Sequence, residues 1–213
     1  MALKTPIKTT NKILDISLKL FSTYGFENVK MQDIIDKLAL SGYTKGAIYH
    51  HFKNKEDILY AILGRYDEQN EKIWEIERSQ INGRDKLKAL ILLHLKHILT
   101  HKEIIKSSLS LLRSMQTLAY KQQHIQTHLT PIVESMIEEG NSDGSLNVAY
   151  PKAASEMLVW GVHIWLDNAL YPLNQMEYTY KVRHLRIMCE GVGLSVIDEE
   201  ISAEFLAVWR EIR

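Results

Sequence analysis

Residues 44–59 read TKGAIYHHFKNKEDIL. Ala47 and Ile48 precede an aromatic and imidazole run, Tyr49, His50, His51 and Phe52, and lysines stand at 45, 53 and 55. Thr44 is a good N-cap residue, so a short helix is expected to follow it through His51. Gly46 falls near the start of that helix, where it weakens the helix and removes a side chain. A short helix with a glycine at its entrance and donors around it suits close approach by something negatively charged.

Working outward, the flanking sequence reads as more helices. TTNKILDISLKLFSTYG (9–25) places Ile13, Leu14, Ser17, Leu20, Phe21 and Tyr24 on one face at spacings of three and four. Thr9 or Thr10 is expected to cap that helix, and Gly25 to end it in a left-handed conformation. MQDIIDKLAL (31–40) is a second helix and SGY (41–43) a turn. Asn54 caps a fourth helix, with Asp57 three residues on and Ile58, Leu59, Ile62 and Tyr66 facing inward, expected to run to about Ser79. INGR breaks the chain at 81–84. Helices are then expected from Asp85 to about Thr100, over about 103–113, and over about 118–139, the last kinked or divided by Pro131. Pro151 opens an apolar helix through Ala169, and the last two cover about 175–194 and 199–212.

The chain has 213 residues, 46% hydrophobic and 24% charged, with four prolines. That composition belongs to a folded chain with a sizeable core, and the helical periodicity makes it all-α. No stretch is apolar for long enough to span a bilayer, and MALKTPIKTTNK lacks the apolar centre of a signal peptide. Cys189 stands alone, which fits a reducing cytoplasm. The net charge is zero, yet residues 1–55 carry nine lysines against four acids, 9 − 4 = +5, leaving −5 for the rest. A basic N-terminal block on a neutral chain suggests a local anion-binding surface, with a solvated lysine-rich face as the plain alternative.

Helices two and three around a glycine-containing turn make a helix-turn-helix. ILDISLKLFSTYGFENVKMQDI followed by TKGAIYHHFKNKEDIL resembles the DNA-binding domain of the TetR family of bacterial transcription regulators over about residues 8–60. The resemblance implies a small three-helix helix-turn-helix domain over 1–55 and a larger helical effector-binding and dimerisation domain over 56–213. It places DNA contacts at Thr44, Lys45, Gly46, Ala47, Tyr49, His50 and Lys55. A recognition helix presents its N-terminal residues to the major groove. There Gly46 would avoid a clash with the DNA backbone and Ala47 could touch a thymine methyl. Tyr49 and His50 could donate to phosphates, and Lys45 to a base or a phosphate. Lys55, on the first turn of helix four, would meet a phosphate favoured by the helix dipole. Ile48, Phe52 and Phe21 would pack the core.

Two departures stand out. The family usually caps helix two with Ser or Thr, whereas Lys30 stands here, so the cap comes from elsewhere or is missing at a cost of about 1 kcal/mol. The family pattern D-I-A-x-x-A-G-V-S-K-G-T-L-Y has thirteen steps from Asp to Tyr, whereas Asp33 to Tyr49 is sixteen. Three residues are close to one helical turn, so helix two is expected to be about a turn longer. A looped-out insertion is the alternative.

In the larger domain, PKAASEMLVWGVHIWLDNAL (151–170) is apolar around most of its circumference, with small residues Ala153, Ala154, Gly161 and Ala169. The resemblance implies a homodimer through residues 151–194; the alternative is core packing within one subunit. It also implies a repressor of a palindromic double-stranded operator, released by a small effector. Candidate pocket walls are Trp74, His94, His97, Met115, Leu118, Met136, Trp160 and His163. That mix suits a lipophilic, weakly polar effector, lipophilic or aromatic in character.

A regulator without a small-molecule effector is one alternative. Another is an all-α metal-dependent enzyme using His94, His97 and His101, with His124 and His128 a further pair. No acidic or cysteine co-ligand lies near these in sequence, and no metal or cofactor is expected. No serine sits in a nucleophile turn, Cys189 lies in a helix, and GVGLS (191–195) follows a helix rather than a strand, so no enzymatic activity is expected. DEQNEK (67–72) reads as a solvated helix face.

Overall fold

A computed structural model describes residues 6–66, 70–167 and 170–212, which form thirteen α-helices and no strand. The all-α expectation holds. The first helices are α1 (Pro6–Tyr24), α2 (Met31–Ala39), α3 (Lys45–His51), α4 (Lys55–Tyr66), α5 (Asn70–Arg78) and α6 (Gly83–Thr100). They are followed by α7 (Lys102–Ser107), α8 (Leu109–Leu112), α9 (Met115–His124) and α10 (Thr130–Asp143). The last are α11 (Pro151–Trp160), α12 (Gln175–Gly191) and α13 (Glu199–Ile212). The chain divides into two compact units, one of residues 1–69 with 107–120, the other of 70–106 with 121–213. Part of DEQNEK, and Ala169, lie outside the described residues.

The first unit is built on Ile13, Phe21, Phe26, Ile34, Leu38, Ile48, Ile58 and Leu59, all fully buried in one cluster. It is larger than residues 1–55, because Ile58, Leu59 and Ile62 of α4 complete that cluster and Leu111 of α8 joins it. Ser22 donates to Ser108 at 3.1 Å, and the rings of Tyr60 and Tyr120 stack at 5.6 Å. Two details differ from the sequence reading. Helix α1 begins at Pro6, so Thr9 and Thr10 lie within it rather than capping it; proline suits a first turn, where its missing N–H would be unpaired anyway. Tyr24 is 62% exposed and leaves the core face at the end of the helix. Gly25 does end α1, with φ +82°.

In the second unit α6 packs on α10 and α13, α10 on α11, and α12 on α13. The α6 and α10 backbones meet at Gly83 and Gly140, where a Cβ on Gly83 would lie 2.2 Å from the Gly140 nitrogen. The amides that open α6 are satisfied from outside the helix: Gly83 donates to Asp143 at 2.8 Å and Arg84 to the Ser145 hydroxyl at 3.2 Å. Hydrogen bonds to Asp143 itself, from the Ser145 side chain first and then from the Gly83 and Ser145 amides, hold its carboxyl below its ordinary range. Pro131 does divide its helix. It stands in the first turn of α10, and the preceding turn, Ile125–Leu129, widens to a π conformation. A second π turn, Gly161–Trp165, interrupts the apolar helix, closed by the Leu166 amide donating to Gly161 at 2.9 Å.

Candidate nucleic-acid interface

The end of α2 sets the entry to α3. The Gly42 amide donates to Ala39 and the Tyr43 amide to Leu38, with Gly42 at φ +76°. This is the reciprocal closure that ends a helix with a left-handed residue, and here only glycine adopts it without strain. The three extra residues are therefore wound into a last, tightened turn through Ser41 and are not looped out. At the other end, a lysine side chain has no acceptor and cannot cap. Asp33 substitutes: its carboxylate accepts from the Lys30 amide at 2.7 Å, and its own amide donates to the Lys30 carbonyl at 3.0 Å.

Thr44 caps α3 as expected, its hydroxyl accepting from the Ala47 amide at 3.2 Å. Ile48 and Phe52 are buried, and they fix which face of α3 points out. Lys45, Gly46, Tyr49 and His50 are exposed on that face together with Thr44, and Ala47 is half-buried at its flank. The Lys45 ammonium lies 5.8 Å from the Tyr49 ring centre. A Cβ on Gly46 would meet nothing within 4 Å, so nothing inside the chain requires glycine there. The structure thus gathers six of the seven expected contact residues on one open surface.

Lys55 is the exception and a correction. Its ammonium donates to the carbonyls of Phe26 at 2.9 Å and Val29 at 3.0 Å, with Glu27 at 3.4 Å, and lies 4.4 Å from the Phe26 ring centre. An ammonium has three donors. These are turned inward and are not presented to a phosphate. Sequence reasoning also missed His51, whose Nδ1 is hydrogen-bonded to the Thr10 hydroxyl at 3.2 Å and ties α3 to α1. The pair is 41 residues apart, and no local pattern signals it.

The expected effector walls divide. In the second unit His94 of α6 meets His163 of the π turn, ring centres 4.1 Å apart, and Met136 of α10 is buried. Burial holds His94 at about 4, aided by the positive charge of His97 and Lys121, and holds His163 well below its usual value. His97 instead pairs with His101, ring centres 4.2 Å apart. Trp74 is 54% exposed, Met115 72% and Trp160 38%, so these three are corrected from interior walls to surface residues. Met115 and the half-buried Leu118 belong to the first unit. A large apolar side chain fixes neither which side of a helix it lies on nor which unit it joins. Among the described residues, no three His, Cys, Asp or Glu side chains converge to hold a metal ion.

Gly161 and Ala154 are buried within the chain, and a Cβ on Gly161 would lie 2.5 Å from Leu185 Cδ1 of α12. The small size of Gly161 therefore serves the packing of the π turn on α12.

The sequence pattern of bacterial regulatory proteins of the tetR family matches residues 13–62. Over 74 residues the chain is 35% identical to the HTH-type transcriptional regulator AcrR of Shigella flexneri, covering 35% of this chain and 28% of that one. Over 81 residues it is 36% identical to the HTH-type transcriptional repressor KstR2 of Rhodococcus jostii, covering 38% of each. The matches thus span well under half the length of these curated relatives. The fold extends further: the solved SmeT–triclosan complex superposes with a TM-score of 0.60 at 21% identity, covering 93% of this chain and 90% of that one. No helix among the described residues is long and apolar enough to cross a membrane. Residues 13–62 thus carry the sequence pattern of the tetR family of bacterial regulatory proteins, and the remainder of the chain shares its fold with a solved structure of similar length.

Proposed function

We propose that this protein is a cytoplasmic, homodimeric transcriptional repressor that reads a near-palindromic DNA operator with α3 and is released by a small lipophilic effector. The open face of α3 supports the reading most. Thr44, Lys45, Tyr49 and His50 supply donors for phosphates and bases, Ala47 supplies a methyl, and Gly46 leaves room for the DNA backbone. An excess of five positive charges over residues 1–55 adds sequence-independent attraction. Two such helices in a two-fold dimer would meet half-sites about one helical turn, or a multiple of it, apart.

For dimerisation, the support is an apolar stripe on α12. Met176, Tyr180 and Ile187 are exposed at spacings of four and seven, with Met188 beside them and Trp160 exposed on α11. For the effector, the support is the half-buried pair His94–His163, ring centres 4.1 Å apart and both held neutral chiefly by desolvation. A neutral imidazole offers one donor and one acceptor, which suits a hydroxyl, carbonyl or phenol on an apolar body. SmeT, of like fold, was solved with triclosan.

Selection of duplexes from a random pool by the full-length protein, followed by genomic footprinting, tests the reading. Near-palindromic sites should emerge, and the preference should shift when Ala47 is changed to Asn. A pool that enriches no sequence ends the DNA-binding reading. Lipophilic and aromatic compounds should then release the selected operator; if none does, regulation without a small-molecule effector takes its place.

A further inference from the structure

The connection between α1 and α2, residues 25–30, contains no helix. Buried or half-buried carbonyls in such a segment need partners. Lys55 supplies them from across the domain, through 26 to 29 residues of intervening chain. Its ammonium lies 4.4 Å from the ring centre of Phe26, which is fully buried and packed edge-on against Phe21 with ring centres 5.0 Å apart. The ammonium is thus set by an aromatic ring on one side and by three carbonyls. It joins the first residue of α4 to the stretch that leads directly into α2.

What happens at that joint reaches the DNA-reading face. Helix α2 starts at Met31, two residues after the Val29 carbonyl, and has no side-chain cap from Lys30. Helix α3 has seven residues, with Ile48 as its one buried side chain and Phe52 buried just after it. Such short helices take their orientation from the few contacts that hold them. We propose that Lys55 is a positioning residue for DNA recognition: its ammonium clamps the α1–α2 connection to α4 and so sets the angle at which α2 and α3 meet the duplex, without touching DNA. The inference rests on the DNA-binding reading above. It also departs from a phosphate contact in a measurable way, since a clamped ammonium releases no counterion when DNA binds.

The test uses full-length protein, the selected operator and a scrambled duplex of equal length, at a temperature where every variant is folded. Affinity is measured against salt for the wild type, Lys55→Arg, Lys55→Met and Lys45→Ala. Both Lys55 variants should lose about tenfold in the operator-to-scrambled ratio, the scale of one lost base-pair preference. Their slope of log affinity on log salt should stay at the wild-type value. Lys45→Ala should lower the slope by about 0.9, one phosphate's share. Amide hydrogen exchange over residues 26–33 should quicken in both Lys55 variants. A guanidinium keeps the charge but not the fit to three carbonyls, so Lys55→Arg decides the matter even where Lys55→Met unfolds. Wild-type binding by Lys55→Arg, a slope lowered by about 0.9 in Lys55→Met with discrimination kept, or unchanged exchange over 26–33 would each overturn the clamp. A wild-type protein showing no salt-dependent binding overturns the DNA reading, and this proposal with it. Normal wild-type binding with unaffected variants overturns this proposal alone.

Discussion

The Lys86 ammonium lies 2.6 and 2.7 Å from the two carboxylate oxygens of Glu139, and donates to the Glu77 carbonyl at 2.8 Å. The lysine is 4% exposed, whereas the glutamate side chain is 45% exposed. One partner can therefore return to water and the other cannot. Glu139→Ala should cost about 2 kcal/mol, below the range for a fully enclosed pair because the glutamate side is open to solvent. Lys86→Met keeps the apolar stem and leaves a carboxylate that hydrates, and should cost about 1 kcal/mol or less. Urea unfolding midpoints give the order; a costlier Lys86→Met would show that the ion pair itself, not the stranded ammonium, carries the stability.

Gly46 separates a folding role from a binding role. Its Cβ position is open and its backbone is ordinary helix, so Gly46→Ala should raise stability by about 0.5 kcal/mol through helix propensity. The same methyl would stand between α3 and an approaching phosphate backbone. Operator affinity should then fall while the melting temperature rises. Calorimetry beside a fluorescence anisotropy titration reads both, and unchanged affinity would mean that DNA does not approach α3 at its N-terminal turn.

Helix positions were legible because apolar spacing and turn residues are local signals: Gly25, Thr44, Asn54, Asn82 and Pro131 each act at a helix end or break in the structure. The exposed face of α3 followed from the same logic, since Ile48 and Phe52 had to turn inward. What escaped the sequence depends on distant partners. Lys55 looked like a free cation until the carbonyls of Phe26, Glu27 and Val29 were placed around it. Trp74 and Trp160 looked like pocket walls because bulk and polarity say nothing about a helix's orientation. The π turn at Gly161–Trp165 has no proline to announce it.

The desolvated imidazoles of His94 and His163 make stability depend on pH in a defined direction. His94 is held at about 4 against an ordinary value of 6.5, chiefly by desolvation, then by His97 and Lys121, with Asp167 opposing. In the unfolded chain this group takes up its proton as pH falls through about 6.5; in the native state it does so only near 4. The unfolded state binds more protons throughout that window. Stability is therefore lost as pH falls from about 6.5 toward 4 and is unaffected above it, with a slope approaching about 1.4 kcal/mol per pH unit for this group. His163 shifts in the same direction. Replacing His94 by Leu should flatten the fall in the urea midpoint between those limits. A midpoint that falls as steeply in the variant would assign the acid sensitivity to other groups.

Where the subunits join can be tested without disturbing the core. Ala154 and Gly161 invite substitution because they are small, but both are buried inside one chain. A methyl on Gly161 would press on Leu185 at 2.5 Å, so Gly161→Ala should destabilise each subunit by about 1–3 kcal/mol and leave association intact. Ile187, in contrast, is 62% exposed on α12, in line with Tyr180 and Met176. A glutamate there costs the isolated subunit little, because its charge stays in water. Across a two-fold interface the same residue meets its own copy's surroundings, and two carboxylates would be brought into apolar contact. Ile187→Glu should therefore sediment as a folded monomer with unchanged helical circular dichroism. It should also lose operator affinity, since a single half-site contributes only part of the binding energy. Sedimentation velocity on both variants separates the cases: an Ile187→Glu protein that stays a full-strength dimer places the interface away from this stripe of α12.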